Sequence, residues 1–193
     1  MSAQKTVTPD AEGLVASINA TKSRGLPPVH LWNPPFCGDL DMRIARDGTW
    51  FYEGSAIERP NLVKLFSSIL KLENGKFYLV TPVEKVGITV DDAPFVALDF
   101  EVSQTGTDQE LVFETHVGDH VVAGADNEIR VVRHPETGEP SPYIHIRAGL
   151  EALIDRKSFY RLIDLGEHEN EWFGVRSGGV FFPIIPSADL EEA

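Results

Sequence analysis

Tyr143, His145 and Arg147 alternate with Ile144 and Ile146. On an extended strand, period two puts the first three on one face and the isoleucines on the other. The isoleucine face belongs to a core. The opposite face offers a phenol, an imidazole and a guanidinium, a mix suited to stacking and to holding an anion. An exposed sheet face uses the same pattern, and the residues alone do not separate the two roles. Arg59 and Arg156 form a second set. They occupy matching places in Ile57-Glu58-Arg59-x-x-Leu62-x-Lys64-Leu65-Phe66 and Ile154-Asp155-Arg156-x-x-Phe159-x-Arg161-Leu162-Ile163, 97 residues apart. Arginine grips carboxylate or phosphate bidentately. A residue present in both copies also suits a shared structural task, so pinning a helix start through carbonyls or carboxylates is the simpler use. Lys85 adds an ammonium, and Trp32 adds a ring in a proline-rich stretch where covering a core is the simpler role.

Other constellations are weaker. Glu84, Asp91 and Asp92 could hold a divalent ion or do acid–base work. Asp91-Asp92-Ala93-Pro94 is also ordinary turn chemistry, which is preferred. His116 and His120 are four apart, a chelating distance on a helix. Gly118-Asp119 between them reads instead as a turn in a polar loop. Ser177-Gly178-Gly179 lacks the flanking glycine pattern of a nucleophile elbow and reads as a hairpin turn rather than a phosphate cradle. Cys37 has no neighbouring base and is taken as inert. No catalytic residue, metal ligand or cofactor is assigned.

These side chains need a scaffold. Thr8-Pro9-Asp10-Ala11-Glu12 reads as a helix start, capped by Thr8, with the helix running to about residue 19. Residues 41–52 form a hairpin over Asp47-Gly48, and residues 60–70 keep helical spacing. Strands are expected at 76–81, 85–90, 96–102, 111–115, 127–132 and 143–147. Val96, Leu98, Phe100 and Val102 should face a core, with Ala97, Asp99, Glu101 and Ser103 on the wet side. Residues 150–164 read as one helix. Residues 172–177 and 180–185 close a last hairpin, before an acidic, frayed tail at 187–193.

The chain has 193 residues, 42% hydrophobic and 24% charged, as globular chains do. Its charge of −13 is uneven. Residues 1–95 carry 10 Lys/Arg and 11 Asp/Glu; residues 96–193 carry 7 and 19. An acidic half repels nucleic acid and anionic membranes, so neither is an expected partner. One cysteine, no apolar leader and no long apolar run point to a cytoplasmic protein.

The matching runs extend into their flanks, where aromatic strands stand before and after each copy. The fold expected is therefore α+β: two tandem β-rich modules related by duplication, mainly antiparallel, each with a helix. The divisions are an N-terminal helix and linker over 1–26, one module over 27–94, a second over 95–186, and the tail.

On particular residues the chain resembles a bacterial family of unknown function, domain family 1285. They are Trp32-Asn33-Pro34, Asp47-Gly48-Thr49-Trp50, the Ile57–Phe66 run, 78–88 (YLVTPVEKVGI) and Asp91-Asp92-Ala93-Pro94-Phe95. Pro142–Arg147, Leu150–Leu153, Arg156 and Ser177-Gly178-Gly179 extend it through the second half. The resemblance implies a duplicated core, a C-terminal module superficially like a pleckstrin-homology barrel, a nucleotide-like ligand between modules, and a signalling role.

The leading expectation is a non-enzymatic sensor of a small anionic metabolite, such as a nucleotide. Its ligand-binding residues are Trp32, Arg59, Lys85, Tyr143, His145, Arg147 and Arg156. A protein–protein interaction module is the first alternative, and an enzyme using Glu84, Asp91, Asp92 and a metal the second.

Overall fold

The computed structural model describes residues 10–20, 25–104 and 106–190. Thr8, read above as a helix cap, lies outside them. Asp10 takes that role: its carboxylate accepts the Gly13 N–H at 2.7 Å, satisfying an early helical donor. Helix α1 follows over Ala11–Ala20 and buries Leu14 and Ile18.

The chain divides into two compact units, residues up to Ala45 with Thr49–Asp91, and Arg46–Gly48 with Asp92 onward. The first is built on a six-stranded sheet. Its strands are β1 (Phe36–Ile44), β2 (Trp50–Tyr52), β3 (Ser55–Ala56), β4 (Leu70–Glu73), β5 (Lys76–Val80) and β6 (Lys85–Val90). Their order is β3-β2-β1-β6-β5-β4, all antiparallel except the β1–β6 pair. Helix α2 (Pro60–Ser68) has proline in its first turn, where the missing N–H costs nothing, and stacks Phe66 on Trp50 at 6.2 Å. Met42, Ile44, Ile69 and Leu79 complete this fully buried core.

The second unit has strands β7 (Phe95–Ser103), β8 (Glu110–Thr115), β9 (His120–Val122), β10 (Ile129–Arg133), β11 (Pro140–Arg147) and β12 (Leu150–Ile154). They form one sheet ordered β10-β11-β12-β7-β8-β9, with β12 and β7 parallel. Helix α3 (Arg156–Asp164) then leads to a three-stranded meander of β13 (Glu167–Glu169), β14 (Trp172–Ser177) and β15 (Val180–Pro186). Phe95, Phe113, Ile144 and Leu150 form the centre of its core.

Three expectations need correction. Residues 150–164 are not one helix. Asp155 divides them, because its carboxylate accepts the Ser158 N–H at 2.8 Å and so starts α3 there. The faces of β7 are not a clean alternation either. The register shifts between Ala97 and Asp99, so Ala97 is buried while Leu98 and Val102 are exposed. The tail is helical over Ser187–Leu190 (α4) rather than frayed there.

The duplication is legible in backbone geometry. The segment β2–β3–α2–β4–β5–β6 is repeated as β11–β12–α3–β13–β14–β15. Before each helix a two-residue turn has both φ angles positive: Glu53 (48°) and Gly54 (78°), then Ala148 (48°) and Gly149 (77°). After each helix another does so: Asn74 (50°) and Gly75 (76°), then Asn170 (47°) and Glu171 (68°). Such turns match the twist of the strands they join. The copies differ in assembly: β4–β6 complete the first unit's sheet, whereas β13–β15 stand as a separate sheet.

Candidate functional site

Most of the expected ligand-binding side chains already have partners. Tyr143 is buried, donates its hydroxyl to Asp92 Oδ1 at 2.7 Å and lies under the Arg130 guanidinium at 4.5 Å. Burial, with Asp92 as neighbour, holds its phenol above the usual range. His145 is a latch. Its Nε2 accepts the Gly149 N–H at 3.0 Å, which leaves the ring proton on Nδ1, facing the Asp126 carbonyl at 2.8 Å. Arg147 pairs with Asp119 at 2.5 Å and covers the Phe95 ring. The Tyr143–His145–Arg147 face is therefore wall and brace, not an open platform.

Lys85 reaches one carboxylate of the first unit, and the backbone carbonyl of Trp32 is tied to it through Lys71. Glu73 takes Lys71 at 2.7 Å and Lys85 at 2.8 Å, and Lys71 also donates to the Trp32 carbonyl. The Lys71 and Lys85 hydrogen bonds hold the Glu73 carboxyl below its ordinary range. The acidic residues of the enzyme alternative are also engaged. Asp91 pairs with Arg43, and Asp92 takes Tyr143 with Arg46 3.4 Å away. Burial, reinforced by the Asp10 charge, raises the Glu84 carboxyl. Among the described residues, no three of His, Cys, Asp and Glu gather as metal ligands would.

His116 opens the turn expected between β8 and β9, but its ring is half-buried rather than solvated. Its Nδ1 accepts the Val96 N–H at 3.1 Å, and the ring packs beside Phe95. Burial lowers its affinity for a proton. Ser177 is buried and bridges two strands: it accepts the Leu111 N–H and donates to the Ala123 carbonyl, both at 2.8 Å. Cys37 is exposed, with its thiol toward the Pro35 carbonyl.

Arg59 and Arg156 differ from the others. Neither forms an ion pair with another described residue, so neither pins its helix through a carboxylate. Arg59 is the residue before α2 and Arg156 the first of α3. A cation there opposes the helix dipole, a placement costing about 0.3–1 kcal/mol. Each also lines a cavity. The first, about 630 Å³, lies between α1, the β2–β3 hairpin and α2. Val15, Tyr52, Ile57, Leu62 and Phe66 give it apolar walls; Glu12, Glu58 and Arg59 carry its charges. The second, about 260 Å³, borders β11, β12 and α3 and includes Arg156.

The N-terminal domain of DUF1285, a domain of unknown function, matches residues 27–93, and the C-terminal domain of DUF1285 matches residues 94–184. The chain belongs to the DUF1285 family. A DUF1285 protein of Silicibacter pomeroyi DSS-3 with a crystal structure is 68% identical, covering 93% of this chain and 98% of its own, with a TM-score of 0.87. A DUF1285 protein of Shewanella baltica OS155, also a crystal structure, is 26% identical over 65% of this chain and 91% of its own, with a TM-score of 0.50. No curated protein matches. Among the described residues of this DUF1285 chain, no helix is long and apolar enough to cross a membrane.

Sequence reasoning reached Arg59 and Arg156 but missed the walls beside them. Val15 and Tyr52 are ordinary core-forming types, and nothing in their spacing marks them as lining space. Phe66, expected on the 60–70 helix, is fully buried and also lines the cavity.

Proposed function

We propose that this DUF1285 protein binds a small organic anion of one to about two negative charges without transforming it, and that the cavity between α1, the β2–β3 hairpin and α2 receives it. The observation that carries this reading is Arg59: a guanidinium with no ion-pair partner among the described residues, beside apolar walls. A volume near 630 Å³ is in the range of small-molecule sites, about 300–1,000 Å³. An apolar or aromatic body fits against Tyr52, Leu62 and Phe66, with its anionic group at Arg59. Glu12 and Glu58 on the same rim oppose further negative charge. A carboxylate or a nucleoside monophosphate suits this balance better than a nucleoside triphosphate. A ligand here would touch three elements at once and stiffen them together, which suits a sensor in signalling.

A thermal-shift screen of the full chain with octanoate, AMP and ATP tests the reading. Binding at 100 times Kd adds about 2.7 kcal/mol. That corresponds to a rise of roughly 5–10 °C in Tm for a chain of this size. Octanoate or AMP should give such a rise, and Arg59→Gln should remove it. No rise with any of the three, or an equal rise in the variant, counts against the site.

A second reading, docking of a basic protein partner, draws support from the acid surplus of residues 96–193 and from exposed Leu98, Val102, Val122 and Val132.

A further inference from the structure

We propose that the cavity beside α3 is a second ligand site, for a monocarboxylate of amino-acid size with an aromatic body. It rests on the reading of the first cavity only in that both flank equivalent strand-to-helix junctions; its own lining carries the rest. The volume, about 260 Å³, is roughly nine water volumes at about 30 Å³ each. That admits a single ring with a short side chain and excludes a nucleotide. Pro142, Leu153 and Phe159 supply apolar surface, and Tyr160 adds an exposed ring.

The charges select the anion. Arg46 is already balanced: its Nε lies 3.4 Å from Asp92 Oδ2, and its Nη2 donates to Ser141 Oγ at 2.9 Å. It is a fixed wall rather than a free cation. Asp155 is also committed, to the Ser158 N–H. With Glu139 and Asp155 as its negative charges, the cavity's remaining cation is Arg156, which has no ion pair to another described residue. One carboxylate matches it as a bidentate partner. Glu139, which also lines the cavity, repels a second negative charge, so phosphate and dicarboxylates are disfavoured. An α-ammonium on the ligand is compatible with that carboxylate.

The two cavities are thus paralogous by duplication and distinct in capacity. In the repeat alignment Phe159 stands where the first copy has Leu62, placing a larger ring against the narrower space.

The test is NMR titration of the full chain with phenylacetate, L-phenylalanine and inorganic phosphate. Methyl and ring signals of Leu153, Phe159 and Tyr160 report the second cavity; those of Val15 and Leu62 report the first. Phenylacetate or L-phenylalanine should move the second set to saturation. Arg156→Gln, an exposed substitution, should weaken that binding at least tenfold with signal dispersion retained, and Arg59→Gln should leave it within twofold. The proposal is overturned if neither carboxylate moves the second set to saturation, if Arg156→Gln binds as tightly as the native chain, or if phosphate binds more tightly than both. Because the two sets of signals are separate, failure of this site leaves the first cavity's reading intact, and the reverse holds too.

Discussion

Tyr143 donates its hydroxyl hydrogen to Asp92 across 2.7 Å, and that contact gives the phenol a structural role. The other carboxylate oxygen, Oδ2, is buried, accepts no hydrogen bond from a described residue and faces the guanidinium of Arg46 at 3.4 Å. Tyr143→Phe removes one hydrogen bond to a charged group and leaves the carboxylate where it is. A loss of about 1.5–3 kcal/mol is expected in urea unfolding. Ligand binding should be unchanged. A variant as stable as the native protein would show that the contact contributes nothing net.

Ser177 places its hydroxyl between the Leu111 N–H and the Ala123 carbonyl, beside the direct Ala123 N–H to Leu111 carbonyl bond. Ser177→Ala leaves the Leu111 N–H and the Ala123 carbonyl without their bridge in a buried place. The expected cost is about 2–4 kcal/mol, more than deletion of a surface hydroxyl. Chemical denaturation measures it. A cost near zero would mean that water enters to replace the hydroxyl.

His116 should give the protein a pH dependence of known sign. Burial lowers its folded-state pKa below the ordinary 6.5. In the window below 6.5 the unfolded chain binds the proton and the folded chain does not, so stability falls as pH falls. The contribution is fully present above 6.5 and is lost as pH drops toward the folded value. Asp119 and Asp47 nearby pull in the opposite direction and moderate the effect. His116→Gln should flatten the stability profile below about pH 6.5 relative to the native protein. An equal slope in both would assign the dependence to other groups.

Much of the fold was legible, for reasons that can be named. Asp47-Gly48 and Gly178-Gly179 announce hairpins because their backbone demands glycine, and Pro60 marks a helix start. The repeat was visible through Ile57-Glu58-Arg59 and Ile154-Asp155-Arg156. The faces of β7 were not legible, because a register shift at Ala97–Asp99 has no residue type that signals it. The division at Asp155 was hidden because Leu150, Leu153, Ile154, Phe159, Leu162 and Ile163 keep helical spacing across it. The partners of the Tyr143–His145–Arg147 face were not legible for a different reason. Period two correctly separates Tyr143, His145 and Arg147 from the isoleucines, but their partners Asp92, Asp126 and Asp119 come from loops distant in sequence. Sequence separation hides such pairings. Arg59 and Arg156 were expected among the ligand-binding residues, with helix pinning as the simpler use, and their lack of ion-pair partners among the described residues could be seen only in three dimensions.

The central claim is that the cavity beside Arg59 holds a ligand, and calorimetric titration of octanoate into the full chain tests it most directly. Leu62→Trp places an indole in the space that the ligand would occupy, while Arg59→Gln removes only the charge. The account predicts one saturable event in the native chain at this site, weakened at least tenfold by Arg59→Gln and abolished by Leu62→Trp. Octanoate binding that survives Leu62→Trp unchanged, or no binding to the native chain, would contradict it.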